Sequence, residues 1–145
     1  MIRKAELKDA LDIYNLEILC FSSHYSLDTI QNDLQNEKIS FYVYEKNNEI
    51  VGYISIYNFL GEANLQKIAV IEKERRKGLA TELIRYAISE LKKVDTEKFY
   101  LEVNEKNLIA ISVYEKLGFN KISTRKNYYG SDSAVIFEMK LKWGY

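Results

Sequence analysis

Apolar and polar positions change period several times along this chain, and each change marks an element. The opening MIRKA reads as a short strand. Leu7, Leu11, Tyr14 and Ile18 then recur at helical spacing, as do Ile13, Leu16 and Cys20, which predicts a first helix. Ser26 is a good N-cap for a second helix carrying Leu27, Ile30 and Leu34. Two β-rich runs follow, ISFYVYEK and EIVGYISIYNF. Asn47-Asn48 separates them, and because asparagine tolerates positive φ the pair predicts a hairpin turn. NLQKIAVI supplies another strand. From Gly78 to Val94 the period becomes helical, with Leu79, Leu83, Ile84, Ala87, Ile88 and Leu91 on one stripe. In KFYLEVN, Phe99, Leu101 and Val103 share one face while Tyr100, Glu102 and Asn104 share the other. Asn107 to Leu117 reads as a helix stopped by Gly118, a suitable left-handed C-cap. Two last strands are FNKISTRKNYY and AVIFEMKLK. The order β-α-α-β-β-β-α-β-α-β-β predicts a mixed sheet with helices on both faces, an α/β or α+β class, and leaves the strand order open.

Composition narrows this picture. The 145 residues fit one domain, 1–145, without repeat, linker or low-complexity tract, and 47% hydrophobic content is too high for a disordered chain. A lone cysteine, Cys20, has no internal disulfide partner and points to a reducing, cytoplasmic setting. The charged N-terminus lacks a signal-peptide core, and no apolar run approaches the roughly 20 residues of a membrane helix. With one histidine, His24, and one cysteine, a zinc site is not expected. The 21 basic and 21 acidic residues cancel, which argues against bulk attraction to nucleic acid. The cancellation is uneven: residues 1–50, 51–100 and 101–145 carry −4, +2 and +2.

The richest segment is the strand IAVI running into EKERRKGLATELI. A helix N-terminus presents unpaired N–H groups and partial positive charge, and so suits phosphates. Gly78 permits close approach of a ligand, Ala80 is the next smallest residue, and Arg75, Arg76 and Lys77 add charge. Read alone, the same run fits a solvated basic loop. It matches neither GxxxxGK[ST] nor GxGxxG, which disfavours a nucleotide enzyme.

Arg75-Arg76-Lys77-Gly78-Leu79-Ala80 fits the [RQ]-x-x-G-x-[GA] signature and so resembles the GNAT N-acetyltransferases. LEVNEKNLIAISVYEKLGF looks like the LEV-x-x-x-N-x-x-A-x-x-x-Y-E-K-x-G-F block of the RimI-type ribosomal-protein-alanine acetyltransferases, and RKNYY is similar to that group's tail segment. The likeness spans roughly residues 63 to 139. It implies a GNAT-type mixed, mostly antiparallel sheet of about six to seven strands flanked by about four helices. It also implies acetyl-CoA as cosubstrate, held by the backbone of Ile68, Ala69 and Val70, by Arg75, Arg76, Lys77, Gly78, Leu79, Ala80 and Thr81, and by Asn107. Glu102 would be the general base, directly or through water, and Tyr114 the acid that protonates departing coenzyme A. The acceptor implied is a protein N-terminus, such as the alanine of a ribosomal protein, in direct transfer within a ternary complex. Two departures fall on the acceptor side: CFSSHYS carries Tyr25 where a tryptophan is usual, and Asp132-Ser133 replaces an acidic pair.

Residue by residue, blander readings stand beside these. Glu102 also fits a solvated strand glutamate, Tyr114 a core aromatic, Asn107 a helix cap, and Tyr128 and Tyr129 either acceptor-pocket or strand-end residues. A phenol near pKa 10 can protonate a thiolate whose acid is near 8.5 with little loss. An α-amine titrates near 8 and a lysine near 10.4, so deprotonating lysine costs about 3 kcal/mol more, which favours an N-terminal acceptor for a single glutamate base. Lysine, polyamines and amino sugars remain alternatives, as does an acyl-CoA-binding domain without turnover. The acidic first third is expected to favour a basic peptide, and the oligomeric state is open between monomer and dimer.

Overall fold

The computed structural model describes residues 1–141; Lys142, at the end of the last apolar run, lies outside them. Its strands are β1 (Ile2–Lys4), β2 (Ile39–Lys46), β3 (Glu49–Phe59), β4 (Glu62–Val70), β5 (Lys98–Asn104), β6 (Asn120–Tyr129) and β7 (Asp132–Lys140). The helices are α1 (Ala10–Cys20), α2 (Leu27–Leu34), α3 (Leu79–Lys93) and α4 (Leu108–Leu117). Element order and type agree with the periodicity. The spatial order, which periodicity does not contain, is β1-β2-β3-β4-β5-β7-β6. Neighbours are antiparallel except β4 and β5, whose connection through α3 is the long crossover that parallel pairing requires.

Local chemistry explains the boundaries. Asn47 and Asn48 adopt φ of 53° and 63°, the double left-handed turn that matches strand twist. Ser26 accepts from the Thr29 N–H, and Asn107 Oδ1 accepts from the Ala110 N–H at 3.2 Å, so both cap their helices. Gly118 ends α4 at φ 104°.

Two apolar layers sandwich the sheet. On one face Leu83, Ile84 and Ala87 of α3 and Tyr114 of α4 pack against Ile54, Phe99 and Phe137. On the other, Ala10, Ile13 and Leu16 of α1 and Ile30 of α2 cover Phe41, Val43 and Tyr53. Of the two apolar sets anticipated on the first helix, that of Ile13 and Leu16 is buried, whereas Leu7, Leu11 and Ile18 remain about half exposed. Because α1 is apolar nearly all round, spacing alone does not select the buried stripe. Ala10 and Glu17 share the buried side with Ile13 and Leu16.

Candidate active site

The site arises where the sheet comes apart. β4 and β5 pair only at Glu62–Lys98, Ala63–Phe99 and Asn64–Tyr100. Beyond that point β4 is held by β3 and β5 by β7, so the strands diverge and leave the β5-facing edge of β4 without a ladder. β4 also carries a bulge. Ser55 pairs with Lys67 and Ile56 with Leu65, so Gln66 is the extra residue. Bulges re-aim side chains, and Gln66 lines the opening with Oε1 buried and lacking a protein partner.

A cleft of about 600 Å³ fills the divergence, walled by Gln66, Tyr100, Glu102, Arg125, Tyr128 and Tyr129 among others. Alternation along β5 turns Glu102 away from buried Leu101 and Val103, as the pattern requires. Its Oε1 lies 3.1 Å from Arg125 Nη1 on β6. Burial, followed by the Glu102 charge, pushes the Tyr129 phenol up. Arg125 in turn lies 5.6 Å from the Tyr128 ring centroid. Asp132 ties this wall down: it accepts from Asn104 Nδ2 at 3.1 Å and pairs with Lys106 Nζ at 2.7 Å. These two partners, Lys106 first, hold its carboxyl below the usual range.

At the other end of β4 a second hollow, of about 350 Å³, is lined by Val70, Arg76, Gly78, Ala80, Thr81 and Val113, with Arg75 and Leu79 also contributing. Arg76 and Gly78 have φ of 65° and 85°, which coils the loop before α3. A Cβ built on Gly78 would meet no atom within 4 Å, so the space in front of the helix terminus is open. Not all the basic residues face it freely. Arg75 Nε donates to the Val70 carbonyl at 2.8 Å, bracing the strand end. Lys77 pairs with Glu74 at 3.3 Å, and Lys46 of β2 reaches the same carboxylate at 2.8 Å. Lys46, then Lys77, keep the Glu74 carboxyl below its ordinary value. Ile68 and Ala69 sit between the two hollows on β4.

Tyr114 is 8% exposed, with its ring edge-on to Phe119 at 5.9 Å, and burial pushes its phenol up. It belongs to the layer under Phe99 and Leu101, so it and Glu102 lie on opposite faces of β5. Asn107 spends Oδ1 on its cap. His24 packs edge-on to Tyr14 at 5.8 Å, while Cys20 Sγ contacts the Val70 carbonyl at 3.7 Å. Among the described residues no cluster of three or more His, Cys, Asp or Glu side chains could hold a metal. Within the same limits, no helix is long and apolar enough to cross a membrane.

A family model described as the acetyltransferase (GNAT) family matches residues 10–119. The chain belongs to the GNAT family. It is an N-acetyltransferase, and enzymes of this family use acetyl-CoA. The chain is 33% identical to an N-alpha-acetyltransferase of Sulfurisphaera tokodaii over 93% of its length and 90% of that protein's. It is 31% identical to a ribosomal-protein-alanine N-acetyltransferase of Escherichia coli over 97% of both. The crystal structure of the Escherichia coli ribosomal-protein alanine N-acetyltransferase superposes with a TM-score of 0.91 at 29% identity, covering 100% of this chain and 96% of that one. The seven-stranded, mostly antiparallel sheet with four helices is the GNAT fold that the motifs implied.

This GNAT chain also holds groups that sequence reasoning passed over. Glu17, wholly buried on α1, accepts from Tyr53 Oη at 2.7 Å and Lys67 Nζ at 2.9 Å, and from the Tyr25 N–H at 3.1 Å. The Lys67 ammonium sits over the rings of Phe21 and Tyr25, at 4.3 and 4.0 Å. The segment after α1 is thereby tied to β4 next to the bulge. The adjacent polar pair Gln66-Lys67 inside an apolar strand was the available signal. Arg125 lies in the RKNYY segment, where spacing assigns it no partner. Four of the nine acids in the first third are paired within the chain, Glu17 with Lys67, Asp9 and Glu45 with Arg3, and Glu6 with Lys8. The acidic surface available to a basic peptide is correspondingly smaller than the sequence count.

Proposed function

We propose that this N-acetyltransferase modifies protein N-terminal α-amines, an N-terminal alanine of a ribosomal protein being the first target to test. The observation that carries this reading is the divergence of β4 and β5. It sets a polar cleft containing Glu102 at one end of β4 and the open helix terminus at the other, with about five residues or ~17 Å of strand between. An extended acyl-CoA arm fits that span. The N–H groups from Gly78 to Thr81 would hold its phosphates, Arg76 and Lys77 would add charge at the rim, and Arg75 would brace the loop from behind. The edge of Ile68, Ala69 and Val70 would pair with its amides, and Asn107 Nδ2 would be left for the arm. The bound thioester supplies the activated acetyl group. Glu102, in the cleft wall, takes the proton from the amine, and a β4 N–H near the bulge stabilises charge on the carbonyl oxygen. Tyr114, on the far face of β5, gives its proton to the departing sulfur. The E. coli and S. tokodaii relatives carry names for the same acceptor class.

Purified protein given acetyl-CoA should acetylate peptides bearing a free N-terminal alanine faster than polyamines or amino sugars. Preference for the small amines would overturn the peptide reading, and coenzyme binding without any acetylated product would overturn catalysis itself. At the cradle, Gly78→Ala should weaken coenzyme A binding about tenfold by calorimetry. It forces a side chain into left-handed φ at a cost of about 1 kcal/mol and places a methyl where phosphate must approach.

A further inference from the structure

We propose that Arg125 is a second anchor for the acceptor. It would bind the carbonyl oxygen next to the reactive amine, so that Glu102 and Arg125 together read an α-amino acyl unit rather than an amine alone. This rests on the peptide reading above. Arg125 stands on β6 in the cleft wall, its side chain 55% exposed, with Nη1 3.1 Å from Glu102 Oε1. A guanidinium carries five N–H donors in a fixed plane, so one contact with Glu102 does not exhaust the donors Arg125 brings to the cleft wall. The nitrogen of a peptide α-amine and its first carbonyl oxygen are about 2.7–3.6 Å apart, depending on ψ. A carboxylate and a guanidinium held side by side at 3.1 Å offer an acceptor and a donor on that scale. Tyr128 and Tyr129 close the same wall. A lysine ε-amine or a polyamine has no carbonyl at that distance. It would reach Glu102 with nothing gained from the guanidinium.

The test is a cycle of two enzymes and two substrates. Wild type and Arg125→Met are each assayed with an alanyl peptide and with the same peptide whose first amide is replaced by an (E)-alkene of equal shape. Wild type should prefer the amide, and that preference should shrink about 10- to 100-fold in kcat/KM in the variant, the range for a hydrogen bond to a charged group. The loss should appear mainly in KM, and Arg125→Lys should recover part of it. Arg125 sits on a fully exposed strand, so melting temperatures should be close to wild type. Equal amide-to-alkene ratios in both enzymes would overturn the role of Arg125 even if the variant is slower overall, since that pattern belongs to a residue that merely steadies Glu102. Failure of wild type to acetylate either peptide would instead overturn the peptide reading, and the anchor with it.

Discussion

Glu102→Gln should lower kcat/KM for the peptide acceptor by about 10²–10⁴-fold, with the affinity for coenzyme A unchanged. The substitution keeps the shape and removes the proton acceptor. Its effect on stability should be small, because the ion pair with Arg125 is partly exposed and such pairs contribute about 0–1 kcal/mol. Tyr114→Phe should also lower kcat, with a different pH signature. Burial pushes the Tyr114 phenol up, so it keeps its proton through the neutral pH range. Its removal should therefore reduce the rate by a constant factor between pH 6 and 9 and leave any inflection in that window in place. Stopped-flow or continuous thiol assays of the single and double variants decide the matter; unchanged turnover in the double variant would remove both roles.

The largest effect on stability is expected at Lys67. Lys67→Met should destabilise the fold by about 3–5 kcal/mol, because it leaves the fully buried Glu17 carboxylate without its cation. Tyr53 Oη and the Tyr25 N–H still donate to it, but neither carries charge. Urea titration measures this directly. Changing both partners, Glu17→Leu with Lys67→Met, should cost much less than the sum of the two singles, since no buried charge then remains. A Lys67→Met unfolding free energy within about 1 kcal/mol of wild type would show that the carboxylate does not depend on the ammonium.

These two sites differ in how visible they were beforehand. Strand alternation, which is local, turns Glu102 to the face opposite Leu101 and Val103, and the likeness to the RimI-type block is what marks it as a candidate base. The caps at Ser26, Asn107 and Gly118 and the Asn47-Asn48 turn were legible locally too, each being a preference of one residue for one backbone geometry. Glu17 was not visible. It sits among apolar residues of α1, and its side-chain partners are 36 and 50 positions away, beyond any periodic signal. The divergence of β4 from β5 was hidden too, since nothing in NLQKIAVI or KFYLEVN says where parallel pairing stops. Leu60-Gly61, which turns β3 into β4 at φ of 53° and 82°, escaped notice because leucine rarely adopts that conformation. The Arg75 side chain, counted among the phosphate-facing cations, folds back onto Val70 because the strand-end carbonyl lies within its reach.

The three rungs that join β4 to β5, with Gly61 accepting from the N–H groups of Glu97 and Lys98, link two antiparallel sets of strands, β1 to β4 on one side and β5, β7 and β6 on the other. Each half is a continuous stretch of chain, and α3 carries the chain from one to the other. The cleft has one wall on each. No chain with a single half assembled has a reaction centre, so acetyl transfer reports completed assembly, and a synthesis arrested at α3 would yield a silent product, unable to acetylate the wrong amine.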